Sequence, residues 1–323
     1  MKGILTRTDM GLIGALVFLL AMKLVLPDWL ISVATISLAR GLVVLGLLIL
    51  WRTGLISFGQ ALFFGIGGYT VGLLRVYAGV TDMILLTFLA TFFSGLAAFL
   101  LGLLISRYRE IFFAMLCLAF SMILYGVLVK SQTLGSSDGF NVHGLTMFGF
   151  EMAGQTLQTA VYIFISVLAC AMGILVNRYL SSTMGQLTTA IRDNEIRVEY
   201  LGVSANKAVN VKFVIAGALA GMGGAVTAFA VGHVDPESMV YWLISGEIVF
   251  VTILSGTGSV AAPFLGSLIF EGLRTIAFDY IPHYWQFAMG SVLLIIILFL
   301  PGGLWSLVER LWSLIQRRFQ GRN

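Results

Sequence analysis

Charge, proline and cysteine are all scarce in this sequence of 323 residues. Charged residues make up 11% of the chain and there are 5 prolines, whereas hydrophobic residues make up 59% and the mean hydropathy is +0.99. The two cysteines, Cys117 and Cys170, both lie in apolar runs, so the sequence indicates no disulfide framework. This composition excludes an ordinary soluble protein and predicts a polytopic α-helical membrane protein.

Apolar runs near the length that crosses a bilayer as a helix recur along the whole chain. Barrel strands would give a weaker, alternating pattern over shorter segments. We therefore predict an all-α fold in which residues 1–323 form one transmembrane domain. The runs 54–82 and 255–267 are rich in Gly, Ser and Thr, and we expect broken or re-entrant helices there. The ten candidate spans are 10–27, 30–50, 59–79, 83–106, 111–130, 157–177, 207–232, 240–257, 260–278 and 284–304.

The basic residues divide unevenly between the two sides of this topology. Of the 19 Lys and Arg residues, 14 fall on the side of both termini. By the positive-inside rule, that side is expected to be cytoplasmic. The remaining five are Lys23, Arg75 and Lys130 on the outer side, and Arg40 and Arg274 within spans.

Two loops stand out from the apolar background. Residues 131–156 form the largest outer loop and contain a run of Gly, Ser and Asp, which predicts a structured external lip. Residues 178–206 form a cytoplasmic loop that carries five charges within eight residues: Arg192, Asp193, Glu195, Arg197 and Glu199.

The spacing of these charges predicts a short surface helix. Asp193 and Arg197 are four residues apart, and Arg192 and Glu195 are three apart. An apolar edge follows at Tyr200, Leu201 and Val203, which could enter a groove on a soluble partner. Spacing alone leaves two interpretations open, a docking helix and an ordinary solvated loop.

Several motifs of enzymes and pumps are missing. No lysine follows a glycine, so the phosphate-binding GxxxxGK[ST] loop is absent and the chain is not expected to hydrolyse ATP by that route. There is no HExxH motif, and aspartates avoid the span centres, which disfavours an intramembrane enzyme. A stand-alone secondary transporter or channel remains the alternative, although no second half repeats the first.

Ionisable residues inside spans are costly and need an explanation. Glu271 and Arg274 are three residues apart on one predicted helix, which favours a self-satisfying structural pair. Glu247 has no local partner. It could neutralise Arg40, contact the amine of a substrate, or lie near the interface.

Small and polar residues form two further groups. Glycines at helical spacing favour close helix packing over substrate contact, namely Gly65, Gly67, Gly68, Gly72, Gly217, Gly221, Gly223 and Gly224. Ser57, Gln60, Tyr69 and Thr70 place polar groups in a potentially unwound span, where they could hydrogen-bond a small solute during passage. The histidines fall at outer helix ends without ligand spacing, so no metal site is predicted: His143, His233 and His283.

Four ordered blocks of the sequence resemble one known family. Residues 54–70 resemble the N-terminal signature of the LivM-type permeases of branched-chain amino-acid ABC importers. Residues 108–120 with 135–139 resemble the family's middle block, and 190–203 with 216–225 resemble its coupling loop and the following helix. Residues 245–248 and 254–266 resemble the family's late Gly-rich block. The chain departs from the family pattern at Arg40, Leu47 and Trp51-Arg52, near the expected cavity walls.

The resemblance implies a non-enzymatic permease subunit in the cell inner membrane. Its expected partners are ATP-binding subunits that hold ATP and Mg, a second LivH-like permease, an external solute-binding protein and membrane lipid, with no nucleic acid. Branched-chain amino acids are the default solute, and amides, urea and small carboxylates are also covered by the resemblance. Residues 190–206 would form the coupling helix, with contacts at Arg192, Asp193, Glu195, Arg197, Tyr200, Leu201, Gly202 and Val203. The translocation path would include Ser57, Gln60, Tyr69, Thr70 and Glu247.

Overall fold

The computed structural model describes residues 7–23, 25–300 and 302–310, and nearly all regular structure in them is helical. Two very small antiparallel sheets and one 3-10 turn, Gln132–Leu134, complete it. The helices are α1 (Arg7–Met22), α2 (Asp28–Arg52), α3 (Gln60–Tyr77), α4 (Met83–Ile105), α5 (Glu110–Lys130), α6 (Gly154–Ser181), α7 (Thr183–Asp193), α8 (Glu195–Tyr200), α9 (Ala205–Val231), α10 (Pro236–Met239), α11 (Trp242–Ser255), α12 (Ala262–Tyr280) and α13 (Trp285–Phe299). The strands are β1 (Phe140–Asn141), β2 (Thr146–Met147), β3 (Phe150–Glu151) and β4 (His233–Val234).

Each of the ten candidate spans overlaps one of these helices. Six helical stretches in the described part of the chain are long and apolar enough to cross a membrane: Asp28–Arg52, Met83–Ile105, Glu110–Lys130, Gly154–Ser181, Ala205–Val231 and Pro236–Ser255. Two shorter apolar helices are Thr8–Met22 and Trp285–Phe299. The chain is therefore a multi-pass membrane protein. The ends that carry Lys2, Arg317, Arg318 and Arg322 lie outside the described residues.

Helix α9 lies at the centre of the bundle. It packs against α2, α3 and α4, and α2 also contacts α6, α11 and α12. Most of α2 and α9 is buried, whereas α4 and α5 expose most of their surface. The exposed side chains of α4 and α5 are large and apolar, for example Phe88, Leu100, Ile111 and Phe112. An outward apolar face of this kind is suited to lipid or to another membrane subunit.

Glycines allow the close approach of α9 to its neighbours, as the sequence predicted. A Cβ on Gly67 of α3 would collide with the backbone of Gly221, and one on Gly224 of α9 would collide with the carbonyl of Phe64. On another side of α9, Gly217 and Gly221 face Ala98 and Ser94 of α4. Packing, not an open path, accounts for these positions.

The irregular backbone expected within 54–82 lies before the third helix and not inside it. Helix α3 is continuous from Gln60 to Tyr77, so three of the four polar residues assigned to an unwound span lie on a regular helix. The irregular backbone is confined to the approach, residues 53–59, which includes Ser57. The segment 256–261 between α11 and α12 is largely non-helical, and Gly256 there packs on the backbone of Gly302 and Gly303.

The loop 131–156 is structured and is tied to a second loop at the same end of the bundle. Strand β1 pairs with β4, which follows α9 directly, and β2 pairs with β3 in a small hairpin. His233 of β4 bonds Asn141 of β1 at 2.9 Å. We call this end of the molecule the lip end. The opposite end carries α7 and α8 and is called the coupling end.

We expect Gly67→Ala to destabilise the protein by about 1–3 kcal/mol, because the new methyl group has no space between α3 and α9. Gly126→Ala in α5 is the control, since nothing lies within 4 Å of its Cβ position. That substitution should instead stabilise α5 slightly, by about 0.5–1 kcal/mol. Unfolding of each purified variant in the same detergent measures both effects. Equal stability of the two variants would contradict the packing account.

Candidate functional site

The charged segment at the coupling end forms two helices, not one. Ser182 caps α7 by accepting a hydrogen bond from Gly185 N at 3.3 Å, and Asn194 caps α8 by accepting from Arg197 N at 3.0 Å. Asn194 itself is extended, with φ −162°. A short polar side chain that competes for backbone donors favours such a cap over a helix interior. The predicted single helix over 190–206 is therefore wrong.

The break also changes the predicted ion pairs. Arg192 and Asp193 lie on α7, whereas Glu195 and Arg197 lie on α8, so neither predicted pair lies within one helix. Glu195 instead pairs with Arg109 in the turn between α4 and α5, with Nε–Oε2 at 2.8 Å and Nη2–Oε1 at 2.6 Å. Arg109 Nη2 also donates to Asn206 Oδ1 at 2.9 Å. One arginine thus clamps α8 and the start of α9 to the α4–α5 turn.

The inner face of this segment is apolar and buried. Ile191 of α7 and Val198 of α8 are 6% and 3% exposed, so they anchor the two helices to the bundle. Together with the bidentate Arg109 pair, they give the segment a defined position.

The outer face carries the predicted apolar edge. Tyr200 and Leu201 are 87% and 81% exposed, and Gly202 is also exposed with φ +82°. Val203 is half-buried. Of the four charged residues assigned to this surface, Arg192, Asp193 and Arg197 are exposed, while Glu195 is turned toward Arg109. Residue spacing could not reveal the pairing of Arg109 with Glu195, because the two residues are 86 positions apart in the sequence.

Helix α7 and helix α8, which we call the coupling segment, touch the irregular turn before α3 through Arg192 of α7. The Cγ of Arg192 lies 3.3 Å from the position that a Cβ of Gly54 would occupy. Just before that glycine, Arg52 donates two hydrogen bonds to the carbonyl of Thr257, at 3.1 and 2.6 Å. The turn 53–59 therefore lies between α7 and the loop that joins α11 to α12.

Ser57 and Gln60 are buried at this turn, and their partners differ. Ser57 Oγ accepts from Gly59 N at 3.3 Å. Both amide atoms of Gln60 are buried and have no hydrogen-bond partner in the described chain. Ser245 of α11, which the sequence did not single out as a polar contact, accepts from Ala61 N at 3.0 Å. An amide buried without partners costs free energy and calls for an explanation.

Tyr69 and Thr70 lie further along α3, away from Ser57 and Gln60. Residues 60 and 69 are about 14 Å apart along the helix axis. Thr70 Oγ1 donates to the carbonyl of Ile66 at 2.7 Å, whereas the buried hydroxyl of Tyr69 has no partner among the described residues. The ring of Tyr69 contacts Phe140 of the lip edge-on, with centroids 6.2 Å apart.

Glu247 belongs to a four-charge cluster at the middle of the bundle. Arg40 lies near the midpoint of α2, and its Nη1 is 3.0 Å from Glu247 Oε2 and 2.5 Å from Glu271 Oε1. Arg274 Nη1 is 3.4 Å from Glu247 Oε2 and 3.9 Å from Glu271 Oε1. The Arg274 guanidinium also lies over the ring of Trp285, 5.3 Å from its centroid. We call Arg40, Glu247, Glu271 and Arg274 the charge cluster.

This geometry corrects one prediction and agrees with another. Glu271 and Arg274 are not a self-contained pair, because the closest basic group to Glu271 is Arg40 of α2. Glu247 does neutralise Arg40, one of the roles left open for it. Helical spacing could reveal the pair within α12. It could not reveal the contact between Arg40 and Glu247, because these residues are 207 positions apart in the sequence.

The five residues predicted for a translocation path therefore fall into three places. Ser57 and Gln60 lie toward the coupling end, Tyr69 and Thr70 lie toward the lip, and Glu247 lies in the charge cluster. The described residues contain no group of three or more His, Cys, Asp or Glu side chains that could hold a metal ion.

Comparison with known proteins assigns the family. Residues 29–298 match the family model described as the permease component of the branched-chain amino acid transport system. The high-affinity branched-chain amino acid transport system permease protein LivM of Salmonella typhimurium is 27% identical, over 94% of this chain and 78% of the relative. The protein of the same name from Escherichia coli is 26% identical, over 94% of this chain and 76% of the relative. No solved structure matches the chain. This chain therefore belongs to the family of permease components of branched-chain amino acid transport systems.

Proposed function

We propose that this chain is the membrane-spanning subunit of an ATP-driven importer of branched-chain amino acids or related small polar solutes. The observation that carries the proposal is the exposed apolar edge of Tyr200 and Leu201, on a segment that Arg109 and two buried side chains hold in place. A stand-alone transporter or channel would have no use for such an edge. A permease without its own phosphate loop needs a soluble partner that hydrolyses ATP.

The proposed topology has ten membrane-crossing helices in the cell inner membrane. It consists of α1–α6, α9, the α10–α11 stretch, α12 and α13, with both termini and the coupling end in the cytoplasm. The clustering of Arg52, Arg109, Arg192 and Arg197 near the coupling end supports this orientation, because cytoplasmic loops carry an excess of basic residues.

Each proposed partner has a surface that suits it. One of two ATP-binding subunits, which carry ATP and Mg, would contact the edge at 200–203 at the coupling end. An external solute-binding protein would dock on the lip, and a second LivH-like permease and membrane lipid would share the apolar outer faces of helices such as α4 and α5. The chain itself would bind no nucleic acid.

Coupling would pass from α7 through the turn 53–59 into the bundle. Arg192 packs against Gly54 in the turn that also contains Ser57. Just after this turn, the amide N of Ala61 donates to Ser245, which lies two residues before Glu247. A movement of the coupling segment would therefore bear on α3 and α11 together. We place the translocation path along these helices, with Ser57, Gln60, Tyr69, Thr70 and Glu247 beside it.

Leu201→Asp should uncouple ATP hydrolysis from uptake, because a carboxylate would have to be desolvated in the partner's groove. We expect uptake to fall at least about tenfold, a loss of about 1.4 kcal/mol of coupling free energy, while the permease still folds. Leu201→Met is the control, because it keeps an apolar side chain of similar volume at the same exposed position. Uptake into proteoliposomes and ATP hydrolysis, measured on the complete transporter, test this. Normal uptake by the Leu201 variant would refute the docking role.

Arg109 and Glu195 should act as one unit in positioning α8. Removing either partner leaves the other without its charged contact, so Arg109→Ala and Glu195→Ala are each expected to lower the uptake obtained per ATP hydrolysed. The double variant should be no worse than the poorer single variant, with an interaction energy of about 1 kcal/mol. Strictly additive losses would show that Glu195 contacts a partner protein instead.

Gln60→Leu separates a packing role from a role in transport. If the amide only fills space, replacing an unsatisfied polar group by an apolar one of similar volume should stabilise the protein by about 1–3 kcal/mol and leave uptake unchanged. We expect greater stability together with slower uptake. Ser57→Ala is the comparison, because Ser57 already has a local hydrogen bond and its loss should change uptake less. If both variants keep the rate and the selectivity of uptake, Ser57 and Gln60 have only a packing role.

A further inference from the structure

The charge cluster lies where charges are costly and need a function. Arg40 lies about 18 Å from either end of α2, the most buried of the spanning helices. The side chains of Arg40 and Glu247 are nevertheless 15% and 16% exposed, so they are not sealed within the bundle. Charged side chains at this depth typically face a protein interior or an aqueous cavity and mark solute pathways.

The pairs inside the cluster leave part of its hydrogen-bonding capacity unused. Arg40 reaches both carboxylates through Nη1, and Glu247 meets both arginines through Oε2. Glu271 Oε1 likewise lies near both arginines, 2.5 Å from Arg40 Nη1 and 3.9 Å from Arg274 Nη1. An arginine has five donors and a carboxylate accepts about four hydrogen bonds. The cluster can therefore exchange partners without losing all of its contacts.

Arg40 and Glu247 also line a narrow cleft of about 10 Å³, roughly the room that one water molecule needs, so a solute could enter only if the pair separates. The other walls of the cleft are apolar. The remaining lining residues come from α2, α3 and α11 and are Val43, Val44, Phe64, Ile244, Ile248 and Val251. The cleft thus combines one cation, one anion and branched aliphatic walls. Glu271 and Arg274 are not among the residues that line the cleft.

The charge balance selects the class of solute. The cluster contains two arginines and two glutamates, so its formal charge is zero. A solute with a net charge would leave one charge uncompensated in a poorly hydrated site. A neutral amide or urea would gain little from separating a pair only 3.0 Å apart. A zwitterion replaces that pair with two equivalent ones and keeps the site neutral.

We propose that Arg40 and Glu247 form the membrane-embedded solute site of the permease, where Arg40 binds the carboxylate and Glu247 the ammonium group of an α-amino acid with a short aliphatic side chain. This inference rests on the proposed function, since it names the solute site of that importer. When the site is empty, the two residues close on each other. Arg274, which stays in place over Trp285, continues to balance Glu271.

A binding experiment without the solute-binding protein tests the site directly. The complete transporter in lipid nanodiscs is heated with about 10 mM L-leucine, 4-methylpentanoate or leucinamide, and only leucine should raise the unfolding temperature, by about 2 °C. The two analogues retain the aliphatic chain but lack one of the two charges. Equal shifts with all three compounds, or no shift with leucine, would overturn the proposal.

Two glutamate variants distinguish solute contact from a structural role. Glu247→Gln removes an acid from the cleft and should abolish the leucine shift. Glu271→Gln removes the same charge from the same cluster but not from the cleft wall, and should weaken binding less. Equal losses in the two variants would show that the cluster only holds the helices together.

Uptake measurements keep this inference separate from the proposed function. With saturating solute-loaded binding protein, Glu247→Gln and Arg40→Gln should lower leucine uptake at least about tenfold while binding protein still stimulates ATP hydrolysis. If both variants transport normally, the assignment of the solute site is wrong, but the proposed function as an importer subunit is unaffected. If the unaltered complex shows no ATP-driven uptake, the proposed function itself fails.

Discussion

Helix α9 meets α2, α3 and α4 at positions where even one methyl group would collide with an opposing backbone or side chain. Lipid offers no hydrophobic gain for bringing apolar helices together, so close van der Waals contact between backbones must hold such a bundle. The glycines at 217, 221, 223 and 224 allow that contact on several sides of one helix. The positions of the charge cluster and of the turn 53–59 depend on it, because the cluster includes Arg40 of α2 and the turn joins α2 to α3.

Hydropathy and residue spacing predicted the helices well but not the contacts between them. Apolar runs near twenty residues can hardly form anything except helices in a bilayer, and the ten predicted runs all contain one. Helical spacing assigned Glu271 to Arg274, whereas the nearest cation is Arg40, more than two hundred positions earlier. Local patterns contain no information on such pairs, because they arise only when α2, α11 and α12 pack.

The coupling segment shows a similar limit at short range. Charge spacing favoured one short helix through Arg192 and Arg197, but the side chain of Asn194 accepts a hydrogen bond from Arg197 N and begins a second helix there. Mixed charges support a helix by a few tenths of a kcal/mol per pair, whereas a cap contributes about 1 kcal/mol. Of the predicted apolar edge, Tyr200 and Leu201 are exposed and Val203 is half-buried, and its docking role stays a prediction.

The pairing of β1 with β4 gives α9 a second role besides packing. Helix α9 begins five residues after α8 ends, and β4 starts one residue beyond the Gly232 that terminates it. A 27-residue helix is about 40 Å long. It thus forms one stiff rod that joins the surface held by Arg109 to the strand pair of the lip. Any tilt of α9 therefore displaces both surfaces at once. The two ends of the bundle are connected mechanically by one helix and not through a series of loops.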